Sequence, residues 1–288
     1  MSQWAATVVN GALLGGVYAI AGLGLALVFG VMRLVNLAHA AFLAGGAYLT
    51  LTLTTHTGLD PLLALVVVLP VMFCAGYAVQ RWLLNALLLA GSQGALVATF
   101  GLLILIQNVL TLGYGAEPQA LPAPYADAGL TVAGIRVRVI YLIGLALAGA
   151  CVTGMHLALR RTRLGIALRA AAADPVTAGT MGVNVDHLYA LAFGIGTALA
   201  GAGGTVVGVA FSVTPTSGLS YLLLGFTVVV LGGAGSVAGT LAAGLLVGIA
   251  EAIAARAIGG QYADIVVYLA FVALLAFRPQ GLFRTARA

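Results

Sequence analysis

Glu251 is the one acidic residue set deep in a long apolar run. An ionisable group there costs several kcal/mol in lipid and reads by default as functional. It could line a cavity, meet another subunit, or pair with Arg256, which follows five residues later, slightly more than one helical turn. Gln107 and Asn108 are adjacent polar residues in another apolar run; neighbours on a helix point in different directions, so at most one can face a path directly. Asn36 and His39 sit in a polar break after the first apolar run, where they could line a path or fix a bend by hydrogen bonds. The bend carries more weight, because broken backbone in lipid must satisfy its freed polar groups. Nothing here resembles enzyme chemistry: the spans hold no convergent Ser/His/Asp set and no paired aspartates. His39, His56, His156 and His187 lack metal-ligand spacing. Cys74 and Cys151 lie in apolar runs and read as small buried side chains.

All twelve basic residues are Arg. Without a Lys, the phosphate-binding loop of nucleotide hydrolases cannot be built, and Schiff-base chemistry is excluded. The run Gly232-Gly233-Ala234-Gly235-Ser236 therefore reads as a tight turn rather than a phosphate cradle. If transport is driven by ATP, another chain must hydrolyse it. The chain is 62% hydrophobic and 7% charged, against roughly 25% charged residues in soluble domains. Too few charges remain to coat a water-facing surface, so lipid is the main solvent. The net charge of +5 then reads as a set of topology signals and not as a nucleic-acid footprint.

The expected fold is all-α: a single polytopic bundle over 1–288 with eight to ten membrane helices, some broken or re-entrant. A span needs about 20 mostly apolar residues, and candidates cover 8–31, 40–53, 61–80, 95–112, 139–159, 187–210, 221–231, 237–258 and 265–277. The piece 83–89 reads as a short interfacial or re-entrant segment, with a break at 91–94. The loop 113–138, with Pro118, Pro122 and Pro124, should lie in water on the outer side. If the loop 160–186 is cytoplasmic, nine spans place nine Arg inside and leave Arg136, Arg138 and Arg256 outside, with the N-terminus outside. Glycines four apart (Gly11 and Gly15, Gly204 and Gly208, Gly235 and Gly239, Gly244 and Gly248) suit close helix packing within the chain.

The loop 160–186 is the most informative stretch. Residues 166–173 are strongly helix-prone; Asp174 can cap a following turn with Pro175 at its first position, and Gly182 can end it. A small helix–cap–helix element across the inner end of two spans results. Four stretches then make the chain resemble the permease subunits of branched-chain amino acid ABC importers of the Liv type: GLGLALVFGVMRLVNLAH (22–39), 165–186 with AAAADP and GVNVD, LGGAGSVAGT (231–240), and RPQGLF (278–283). The resemblance implies a second similar permease, two cytoplasmic ATP-binding subunits carrying ATP and Mg, and an extracytoplasmic solute-binding protein, with no cofactor on this chain. It implies a bacterial inner-membrane location. It also suggests that Arg169, Ala172, Asp174, Ala178 and Gly182 belong to a coupling helix that docks on the ATPase, so that a bulky residue at Ala172 or Gly182 should abolish transport. Two departures stand out: Ala172-Ala173-Asp174 replaces a stretch where many relatives carry Glu, and Ala40 rather than Gly follows His39. The implied substrates are branched-chain amino acids, with urea or short amides as the alternative. A self-sufficient channel or secondary transporter is the competing class.

Overall fold

The computed structural model describes residues 2–89, 92–132, 134–233, 235–277 and 281–282. Helices dominate because uninterrupted apolar sequence in lipid must satisfy its own backbone. In chain order they are α1 (Ser2–Met32), α2 (His39–Thr57), α3 (Pro61–Val79), α4 (Asn85–Leu89), α5 (Ser92–Tyr114), α6 (Val139–Arg161), α7 (Arg163–Ala173), α8 (Pro175–Thr180), α9 (Val185–Ala210), α10 (Gly218–Gly232), α11 (Val237–Ile258) and α12 (Ala263–Phe277). Seven helical stretches are long and apolar enough to cross a membrane, and α10 is a shorter apolar helix. With α2, nine helices stand where nine spans were expected, among the described residues.

Three boundaries differ from expectation. The first span begins at Ser2 rather than near residue 8. The piece 83–89 is no separate segment: α3 runs through a π turn, Gln80–Leu84, into α4. There Gln80 Nε2 donates to Asn85 Oδ1 at 2.8 Å, across the five-residue spacing that a π turn brings together. The expected break at 91–94 is already helical at Gln93 and Gly94, while Gly91 lies outside the described residues.

α1 and α9 form the interior, each 83% buried over its most apolar window; α5 and α12, at 17% and 11%, form the periphery. The interior helices approach so closely because glycine removes the side chain at each crossing. A Cβ on Gly15 would stand 2.3 Å from the Gly244 carbonyl oxygen, one on Gly24 2.1 Å from that of Gly196, and one on Gly204 2.0 Å from that of Leu43. Gly15, Gly204 and Gly244 pack within the chain, as their four-residue spacing suggested; Gly24 has no such spacing.

α1 closes at Arg33, which takes φ +52°, and the chain turns back into the bundle. α2 begins at His39, which is almost fully buried and bonds through Nε2 to the Ala21 carbonyl at 2.8 Å. Ala21 lies eleven residues before the end of α1, so α2 starts about 16 Å inside that end.

Arg33, Arg81, Arg160, Arg161, Arg163 and Arg169 gather at one end of the bundle, where Arg81 pairs with Asp186 at 3.8 Å. Arg136, Arg138 and Arg256 lie at the other. At this far end the segment after α5 is tied down rather than free. Gln119 exchanges backbone bonds with Val213, Leu121 N–H donates to the Gly208 carbonyl at 3.0 Å, and Tyr125 donates to Asp60 Oδ1 at 2.8 Å. Burial and the Asp60 bond push the Tyr125 phenol above its ordinary range. An unforeseen hairpin, β1 (Gly129–Val132) and β2 (Ile135–Arg138), follows. Arg138 fastens it by donating to the carbonyls of Ala126 and Ala210 at 2.9 and 3.3 Å, with its guanidinium over the Tyr141 ring.

Candidate functional site

At the Arg-rich end, α7 and α8 form a rigid element held down from the bundle side. Thr162 caps α7, accepting from Gly165 N at 3.0 Å. Gly165 sits so tightly on α6 that a Cβ would come within 2.3 Å of the Leu159 carbonyl oxygen. Arg169 donates to that same carbonyl. Leu168 and Ala171 are buried in a cluster with Leu23, Leu27 and Val31 of α1 and Leu188 and Ala192 of α9. Ala172 is half-buried and, with Arg169, lines a cavity of about 80 Å³ shared with Gly30, Gly235 and Val237. Ala178 is buried as well.

Ala172 and Ala178 therefore face the bundle, while Arg169 is exposed and reaches back to α6 through its guanidinium. Three aliphatic side chains are among those that face outward: Ile166 is 57% exposed, Val176 76% and Met181 80%, on an element that also exposes Arg163, Arg169, Thr177 and Thr180. The amino-acid pattern did not reveal this, because a two-helix element has no period that says which face is covered.

Asp174 holds the corner as foreseen. Its Oδ1 accepts from the N–H groups of Val176 and Thr177 at 3.0 and 3.2 Å, and Pro175 opens α8. Gly182 closes α8 with φ +83°, a conformation costly for any residue with a Cβ. The Thr177 hydroxyl and N–H hold the Asp174 carboxyl below its usual range. The stabilisation of this corner is then complete above the ordinary carboxylate pKa and is lost as pH falls through the lowered value. Asp174→Ala is expected to speed amide exchange at Val176 and Thr177 at neutral pH while leaving α9 protected; hydrogen–deuterium exchange checks it, and equal exchange in both proteins would remove the cap from the account.

Polar groups inside the bundle fall into separate places. Asn36 and His39 are both 2% exposed, His39 bonded to α1 and Asn36 Oδ1 without a partner. His39 thus ties the bend to α1 from a buried position. Gln107 is half-buried, and Asn108 is exposed on the outside of α5, donating back to the Ile104 carbonyl at 2.8 Å. Cys74 is exposed on the bundle surface, not buried, and Cys151 is half-buried. The local Glu251–Arg256 pair, one of the readings open from sequence, does not form. Glu251 accepts from Tyr18 at 3.0 Å, while Arg256 donates to Gln3 and stacks on Trp4. The helical turn and a half between them sends the two side chains to different neighbours. Sequence reasoning missed Tyr18 and Gln80, since a lone Tyr or Gln in an apolar run gives no sign of its partner.

The turn between α10 and α11 brings Gly235 against Gly30, while Ala234 lies outside the described residues. Of the stretch 278–283, Gly281 and Leu282 are described, and Leu282 N–H donates to the Leu231 carbonyl at 2.8 Å. Three of the four stretches that carried the resemblance thus meet around Gly30, Ala172 and Gly235, and the fourth joins the third through Leu282 and Leu231.

Comparison with known proteins agrees. The family described as "Branched-chain amino acid transport system / permease component" matches residues 7–275. The chain is 31% identical over 287 residues to the high-affinity branched-chain amino acid transport system permease protein BraD of Pseudomonas aeruginosa, covering 95% of this chain and 94% of BraD. It is 28% identical to the corresponding LivH proteins of Escherichia coli and Salmonella typhimurium, covering 95% of this chain and 93% of each. No solved structure matches it. A lysine-free bundle of apolar helices, matched almost end to end, belongs to the branched-chain amino acid transport permease family and is a multi-pass membrane protein.

Proposed function

We propose that this chain is a pore-forming permease subunit of an ATP-driven importer for branched-chain amino acids, with the Arg-rich end in the cytoplasm. The observation that carries the reading is the exposure of three aliphatic side chains, Ile166, Val176 and Met181, on the element α7–α8, which is capped at both ends and packed on α1, α6 and α9. A wet cytoplasmic surface gains nothing from such a patch; a docked subunit does. Since the chain has no Lys for a nucleotide loop, the docked subunit is one that binds ATP and Mg. A second similar permease completes the pore, two ATP-binding subunits drive it, and an extracytoplasmic solute-binding protein delivers substrate to the far end. The nine-to-three Arg partition of the whole sequence supports the orientation. The relatives' names support the substrate class.

The test is reconstitution in proteoliposomes with the cognate ATP-binding, permease and solute-binding proteins. Leucine, isoleucine or valine is expected to accumulate only when ATP is on the α7–α8 side. Accumulation without an ATP-binding subunit would replace this reading with a secondary transporter, and uptake of urea but of no amino acid would replace the substrate class.

A further inference from the structure

Among the described residues, none is a counter-cation to Glu251. Its Oε1 accepts from Tyr18, and its Oε2 is enclosed with no partner. Tyr221, Tyr268 and Asp264 stand within electrostatic reach. The ion pairs among the described residues are Arg81–Asp186 and Arg138–Asp127, and Arg256 is engaged with Gln3 and Trp4. A carboxylate in this setting, surrounded by phenol rings and a second acid, is stabilised most by a cation that comes from outside the chain.

The place is also reachable. A cleft of about 560 Å³ opens at the far end between α1, α6 and α11, with Thr7, Asn10, Leu14, Tyr141, Ala252 and Arg256 in its walls. Leu14 also packs on the cluster that contains Tyr18. Leu14 thus borders both the cleft and the cluster that holds Tyr18.

We propose that Glu251, with Tyr18 and Tyr221, is an ammonium-binding station on the route inward from this cleft. The α-ammonium of an amino acid donates to the free Oε2, with phenol rings beside it offering their negative faces. Tyr18 orients the carboxylate by holding its other oxygen. Leu14 is the barrier that moves aside for the ligand. The station favours solutes carrying an ammonium group over acids of the same shape. This deepens the reading of the chain as an amino acid permease and rests on it.

Three measurements decide it. In the reconstituted complex, Glu251→Gln is expected to lower leucine uptake on the order of tenfold or more, while ATP hydrolysis stimulated by the binding protein is retained. Glu251→Asp is expected to recover part of the uptake, which a purely packing role would not allow. On the purified permease, 3-methylbutylammonium is expected to raise the melting temperature of the native chain but not of Glu251→Gln, and 4-methylpentanoate to raise neither. Equal uptake by Glu251→Gln and the native chain would overturn the station. So would the absence of any ammonium-dependent shift in the native chain, which also decides the matter if Glu251→Gln fails to fold. If the native complex moves no amino acid but the ammonium shift is present, the substrate reading fails and the cation site stands.

Discussion

Gly24→Val is expected to leave almost no folded protein in the membrane. The α1–α9 crossing at this point has no space for any side chain: the first added carbon would meet the Gly196 carbonyl oxygen at 2.1 Å and the His39 ring at 3.0 Å. Over-packing costs about 1–3 kcal/mol where neighbouring side chains can move. Here the obstacle is the backbone of a helix that is itself buried, and His39, the bend's one side-chain bond to α1, stands against the same spot. Relief requires α1 and α9 to part along their length, and with them the origin of α2. Gly101→Ala is the contrast. It lies on the exposed side of α5 with nothing within 4 Å of the added carbon, and is expected to be neutral or to stabilise by about 0.5–1 kcal/mol, as removal of a helix glycine does. Thermal unfolding in detergent, with the recovered monodisperse fraction, checks both. A Gly24→Val protein as stable as the native one would mean that the crossing is looser than described here.

Val176→Asp combined with Met181→Asp is expected to abolish ATP-driven uptake while leaving insertion and folding unchanged. Both side chains are more than three-quarters exposed and support nothing within the chain, so their replacement costs the isolated permease little. At an apolar contact, two carboxylates deprived of water cost at least about 2–3 kcal/mol, which weakens docking on the order of 100-fold. Co-purification of the ATP-binding subunit with the tagged permease and uptake into proteoliposomes should fall together, with exchange at α7 unaltered. Retained co-purification would place the ATPase elsewhere. Bulky residues at Ala172 or Gly182 are also expected to stop transport, but by another route. At Ala172 the added volume pushes α7 away from Gly30 and Gly235, and at Gly182 it strains the turn that ends α8. In both, exchange at α7–α8 should rise before docking is lost, and that order separates the two mechanisms.

Much of this protein was legible from residue order alone. Apolar runs of spanning length and a charge content far below that of soluble domains settle the fold class, because lipid demands self-satisfied helices. The cap at Asp174 and the stop at Gly182 were equally readable, since each acts on backbone within three residues of itself. Long-range partnership was not. Tyr18 and Glu251 are 233 positions apart, and Arg256 goes to Gln3 instead of the nearer Glu251. The π turn joining α3 to α4 depends on Gln80, on Asn85, and on the Asp186 carbonyl to which Asn85 donates. Which face of α7 is covered, and hence why Leu168 and Ala171 are buried and Ile166 is exposed, was decided by the helices beneath it. Local chemistry is written in neighbouring residues, whereas burial and pairing are properties of distant segments brought together, and only the packed chain fixes them.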